Sequence, residues 1–172
     1  MSALMCAAEE GNVDGLEELT ALTSLDINMA NELGETAMHV AAGSGQLEAI
    51  RTLQSKGGRI DICDKHGDSP VYWAARQGHA EVVDHLWSSG AVVDYQNKCK
   101  ETPLHIAVRY GHVSVVSYLC SVGTSINTQD EHGETPLHIA SWHGFPGIVQ
   151  VLCAARPNLD VKNKVGTFAH NV

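Results

Sequence analysis

A period of 33 residues governs this chain. Thr102-Pro103-Leu104-His105 returns as Thr135-Pro136-Leu137-His138, and Ser69-Pro70-Val71-Tyr72 and Thr36-Ala37-Met38-His39 stand one and two periods earlier. Ala41, Ala74, Ala107 and Ala140 keep the spacing, as do Gly45, Gly78, Gly111 and Gly144. Leu53, Leu86, Leu119 and Leu152 follow it, and so do Asn28, Asp61, Asp94, Asn127 and Asp160. A chain repeating on this scale builds one small unit several times, each burying its apolar face on its neighbours.

Each recurring residue has a physical task. Thr or Ser caps a short first helix by accepting a backbone N–H, and Pro fits the first helical position, where no amide partner is needed. Ala four places after Pro keeps that helix thin enough for close stacking. The Gly that follows, such as Gly78 or Gly111, ends it in a left-handed turn. A second helix then carries Val82, Val83 and Leu86, or Val115, Val116 and Leu119, at core-facing helical spacing. Gly57, Gly90 and Gly123 end it, and an Asp- or Asn-bearing hairpin leads into the next unit.

The T-P-L-H-x-A pattern at this period resembles the ankyrin repeat over essentially the whole chain. The resemblance implies an all-α solenoid of stacked helix-turn-helix units joined by β-hairpin loops. Residues 30–62, 63–95, 96–128 and 129–161 read as full repeats, 1–29 as an N-terminal capping repeat, and 162–172 as a truncated sixth. Val71-Tyr72-Trp73-Ala74-Ala75-Arg76-Gln77-Gly78-His79 is in addition similar to a stretch in the ankyrin region of death-associated protein kinase. Arg109-Tyr110-Gly111-His112, Gln129-Asp130-Glu131 to His138, and Trp142-His143-Gly144 extend that likeness in the same order. It implies a place in cell-death or cytoskeletal signalling. The alternative it implies is a regulatory segment of a larger enzyme such as a serine/threonine protein kinase.

Composition narrows the partner. Eleven Lys and Arg against 20 Asp and Glu give a formal net charge of -9, a surface that repels phosphate backbones and anionic lipid. The expected partner is therefore another protein, and neither nucleic acid nor a membrane. The acidic front end, with no Lys or Arg before Arg51, suits a solvent-facing cap. No apolar run reaches membrane-span length, the first residues lack a signal-peptide pattern, and five cysteines without C-x-x-C spacing fit a reducing, cytoplasmic setting.

The reactive residues are assigned structural roles. His39, His105 and His138 are whole periods apart, so each falls in a different unit, too far from the others to share a metal. The resemblance gives them the task of tying backbone between adjacent repeats. Cys120 and Cys153 share one slot on second helices and are expected to pack in the core; Cys99 falls in a hairpin and is expected to be exposed. No catalytic constellation, phosphate loop or kinase motif occurs, so the chain is expected to be no enzyme and to need no cofactor.

What the fold leaves free is more informative. In ankyrin repeats the hairpin tips and inner-helix ends line a concave groove. Position by position this gives Lys65, His66, Asp68, Arg76 and Gln77, then Lys98, Cys99, Glu101, Arg109 and Tyr110, then Glu131, His132, Glu134, Trp142 and His143. Arg, Tyr and Trp dominate interface energetics, which singles out Arg76, Arg109, Tyr110 and Trp142. Asn127 resembles the Asn that an oxygen-dependent hydroxylase modifies in ankyrin repeats. Two positions depart from the pattern. Lys100 stands where Gly34, Gly67 and Gly133 turn the hairpin, and Arg156 stands where a Gly ends the second helix, just before Pro157. The last full repeat is thus expected to be the loosest, with an uncapped face able to self-associate.

Overall fold

A computed structural model describes residues 2–21 and 25–169, which form ten helices. The inner row is α1 (Ala3–Glu10), α3 (Ala37–Gly43), α5 (Pro70–Gln77), α7 (Pro103–Arg109) and α9 (Pro136–His143). The outer row is α2 (Val13–Thr20), α4 (Leu47–Ser55), α6 (Ala80–Ser88), α8 (Val113–Ser121) and α10 (Pro146–Ala154). Each inner helix packs on its outer partner and on the inner helices before and after it, and the outer row stacks likewise. The architecture is the all-α solenoid of the sequence reading.

The local chemistry explains the elements. Ser69 Oγ accepts the Tyr72 amide and Thr102 Oγ1 accepts the His105 amide, with Pro70 and Pro103 at the first helical positions. Ala41, Ala74, Ala107 and Ala140 are fully buried where inner helices meet. Leu53, Leu86, Leu119 and Leu152 are buried between the rows. Each such leucine contributes roughly 1.5–3 kcal/mol of burial. That contribution depends on the neighbouring unit being folded.

Two details depart from expectation, and a third bears on the two positions that break the pattern. The hairpins are tight turns closed by two backbone bonds (Asp64 N–H to Asp68 C=O and Gly67 N–H to Asp64 C=O, each 3.0 Å), and among the described residues no extended strand forms. The nearest approach to one is an isolated antiparallel bridge between Lys162 and Phe168. Cys153 is exposed rather than packed in the core. Its slot sits at the edge of the outer row: Cys120 gains cover from the unit that follows it, whereas no further described helix covers Cys153. Lys100 and Arg156 both take left-handed backbone, φ 60° and 58°, so each keeps the turn a glycine makes elsewhere. The expected sixth unit is described to Ala169, and its His170 lies outside the described residues.

Candidate functional site: the hairpin and inner-helix face

Each hairpin is built around an Asn or Asp in one slot. Asn31, Asp64, Asn97, Asp130 and Asn163 each turn Oδ1 onto the backbone N–H groups two and four residues on, at 2.8–3.2 Å. This short side chain thus replaces backbone partners and fixes the loop. Successive tips then bond to one another: Lys65 N–H to Leu33 C=O, Lys98 to His66, Glu131 to Cys99 and Lys164 to His132. A Cβ at Gly34 would come 2.9 Å from the Lys65 nitrogen, so glycine is what lets the tips stack.

Two series of side chains lock each unit to the next. His39, His105 and His138 accept the Thr36, Thr102 and Thr135 amides on Nδ1, which places the ring proton on Nε2. Nε2–H then donates to the Asp68, Glu134 and Thr167 carbonyls of the following unit. Both nitrogens being engaged, these rings hold backbone rather than a metal. Burial lowers the pKa of His39 and His105. The second series runs backwards: Gln46, His79 and His112 donate to the Glu9, Gly43 and Arg76 carbonyls at the ends of preceding inner helices. Phe145 occupies this slot in the last full unit and packs against Gly111 instead.

Upon this frame the free positions form one face. Lys65, His66, Lys98, Cys99, Glu131 and His132 stand exposed at the tips, and Asp68, Glu101 and Glu134 are half-buried where each hairpin returns. Arg76, Gln77, Tyr110, Trp142 and His143 are exposed at inner-helix ends. Tyr110, 51% exposed, is held between the Arg76 guanidinium, 5.7 Å from its ring centre, and the parallel His112 ring. Trp142 is 76% exposed. Arg109 is already engaged: its guanidinium lies 2.6 Å from Glu101 Oε1 and 3.6 Å from Asp130 Oδ2. Glu101 also accepts the Tyr72 hydroxyl, and Asp68 accepts Asn97 Nδ2. Burial raises the pKa of Asp68, and that of Tyr72 is raised by burial and the Glu101 charge.

A cleft of about 420 Å3 opens at one end of this face, between Trp142, Glu134, Arg109 and the hairpin bearing Val165. Val165, 84% exposed, escaped the sequence reading, although it lies one period beyond His132 in the same tip slot. Leu33 at the first tip, also exposed, escaped it for the same reason. Elsewhere Asn127 is exposed, its Oδ1 accepting the Asn158 amide at 2.8 Å across units. Cys99 is exposed, and partial desolvation, then the charges of Glu131 and Glu101, push its thiol pKa up.

Stacked helix pairs locked by histidines, with a row of tips whose side chains the stacking does not dictate, define a repeat solenoid of the class that presents a recognition face. A family model described as "Ankyrin repeats (3 copies)" matches residues 4–97 and again residues 72–163, so the chain belongs to the ankyrin-repeat family. Ankyrin repeats are generally protein–protein interaction modules. Over 64 residues, 37% of this chain, the sequence is 39% identical to inversin of Danio rerio, and the match covers 6% of inversin's length. No helix among the described residues is long and apolar enough to cross a membrane.

Proposed function

We propose that this chain is a non-catalytic scaffold or adaptor that binds an extended segment of a partner protein along its concave face of hairpin tips and inner-helix ends. The observation that carries the reading is the contrast between slots. The positions that stack units are filled by buried alanine, leucine and histidine, while on one continuous face Arg76, Tyr110 and Trp142 are held out to solvent. Such a row of anchors at regular spacing suits an extended chain lying across several repeats. The local likeness to the ankyrin region of death-associated protein kinase supports a place in cell-death or cytoskeletal signalling, and hydroxylation at the exposed Asn127 belongs to the same reading.

The test is partner capture by paired variants. Tyr110→Ala with Trp142→Ala removes two exposed aromatics and leaves the helical spectrum intact. Each aromatic anchor lost from a buried interface costs about 2 kcal/mol, or roughly thirtyfold in affinity. Glu81→Lys, exposed on the outer helix α6, should leave capture unchanged. Capture lost with Glu81→Lys and kept by the aromatic pair would move the site to the outer face.

A further inference from the structure

Comparing one slot across the repeats isolates an acid that lacks a partner. Glu35, Asp68, Glu101 and Glu134 stand at the same place in successive hairpins. Glu35 accepts Asn31 Nδ2, Asp68 accepts Asn97 Nδ2, and Glu101 accepts both the Tyr72 hydroxyl and the Arg109 guanidinium. Among the described residues, Glu134 has no hydrogen bond or ion pair on its carboxylate. The reason is in the sequence: Arg109 lies eight residues after Glu101, and the residue eight after Glu134 is Trp142.

Among the described residues, Arg109 is the one guanidinium lining this cleft, and it is committed elsewhere. Asp130 Oδ2 is buried, with its side chain 1% exposed and without a hydrogen bond, and Arg109 at 3.6 Å is its compensating charge. Arg109 also holds Glu101 at 2.6 Å. Turning the guanidinium towards Glu134 would strand a buried carboxylate, which is strongly unfavourable. Two histidines also line the cleft: His138 turns both ring nitrogens to backbone, and His143 stacks on the Phe145 ring. Three carboxylates (Glu101, Asp130, Glu134) thus face one guanidinium. The cleft's open side is apolar, formed by the exposed indole of Trp142 and by Val165.

We propose that this cleft takes a basic side chain, arginine or lysine, from the partner segment. The aliphatic stem lies against Trp142 and Val165, and the cationic head meets the Glu134 carboxylate beside the indole face. Carboxylate and indole both attract a cation, and a long basic side chain is apolar along its stem. The chain's net charge of -9 favours approach of such a segment. This assignment deepens the reading of the face as a protein-binding surface and rests on it.

The test uses the 15N-labelled chain titrated with N-acetyl-arginine amide, with the neutral isostere N-acetyl-citrulline amide and N-acetyl-glutamate amide as comparisons. Single-residue probes bind in the millimolar range, so concentrations reach about 50 mM. Arginine amide should shift the Trp142 indole N–H and the Asn163–Thr167 amides along a saturating curve. The Trp73 and Trp87 indole signals stay still and report any general effect. Citrulline and glutamate amides should leave the cleft signals in place. Glu134→Gln, with unchanged helical spectrum, should weaken arginine amide binding at least about fivefold. Equal shifts from arginine and citrulline amides, or undiminished binding by Glu134→Gln, overturns the inference. That outcome leaves the face-level reading standing, because the Tyr110 and Trp142 variants test it separately. Their failure sinks that reading whether or not the cleft takes arginine amide.

Discussion

Gly78→Ala and Gly123→Ala form a matched pair that separates backbone strain from packing between units. Both glycines end helices with φ of 82°, so a methyl group at either meets the same left-handed penalty. That penalty is about 1–2 kcal/mol. Around Gly123 nothing lies within 4 Å of the added carbon, whereas at Gly78 it would sit 2.6 Å from His112 Nδ1. The imidazole must then move, and its 2.9 Å bond to the Arg76 carbonyl breaks. A lost hydrogen bond of this kind costs about 1 kcal/mol, and displaced packing adds a similar amount. Urea unfolding followed by circular dichroism should therefore show Gly123→Ala down by about 1–2 kcal/mol and Gly78→Ala by about 3–4 kcal/mol. In a His112→Ala background the excess at Gly78 should disappear, as a double-mutant cycle would reveal. Equal losses at the two glycines, or an excess that survives removal of His112, would refute the claim that the Gly–His contact joins the repeats.

Other consequences follow from the same frame. Lys100→Gly should raise stability by about 1 kcal/mol, since it relieves a left-handed non-glycine residue at the entropic cost of a glycine; a loss measured in the same urea titration would contradict this. Burial depresses the pKa of His39 and His105 below 6.5, so beneath that pH the unfolded chain binds protons that the folded chain refuses. The melting temperature should accordingly fall as pH drops from about 7.5 to 5.5, and Asp68, raised by burial, has the opposite sign only in a window opening above 3.8; a midpoint that rises across that range would be contrary. Amides of 148–161 should exchange sooner than those of 82–119, because among the described helices α10 has an outer-row neighbour, α8, on one side only; uniform protection would count against it.

The period made the skeleton readable because its residues answer to demands that every repeat shares. Thr102 must cap, Ala107 must be thin, Gly78 must turn left-handed, and His105 must bridge 29 residues to Glu134, so all four recur. What the period could not supply depends on residues that differ between repeats. Arg109 pairs with Glu101 of its own unit and with Asp130 of the next only because those residue types happen to stand there; Asn97 in the slot of Asp130 makes a different bond, to Asp68. Tyr110 is positioned by Arg76 from the unit before it, and the register alone says nothing of that stacking. Cys153 was misplaced because a boundary slot is buried only when a following unit covers it. Val165 was legible, one step further along the tip series than the reading carried it.

Hydrogen exchange of the chain alone and with its partner bound tests the central claim most directly, since it reports which face the partner covers. The account predicts slowed exchange at the tips and inner-helix ends, around Lys65–Asp68, Lys98–Glu101, Glu131–Glu134 and the ends of α5, α7 and α9. The outer helices α6 and α8 should be unchanged. Protection concentrated on α6 and α8, with the hairpin tips unaffected, would contradict it.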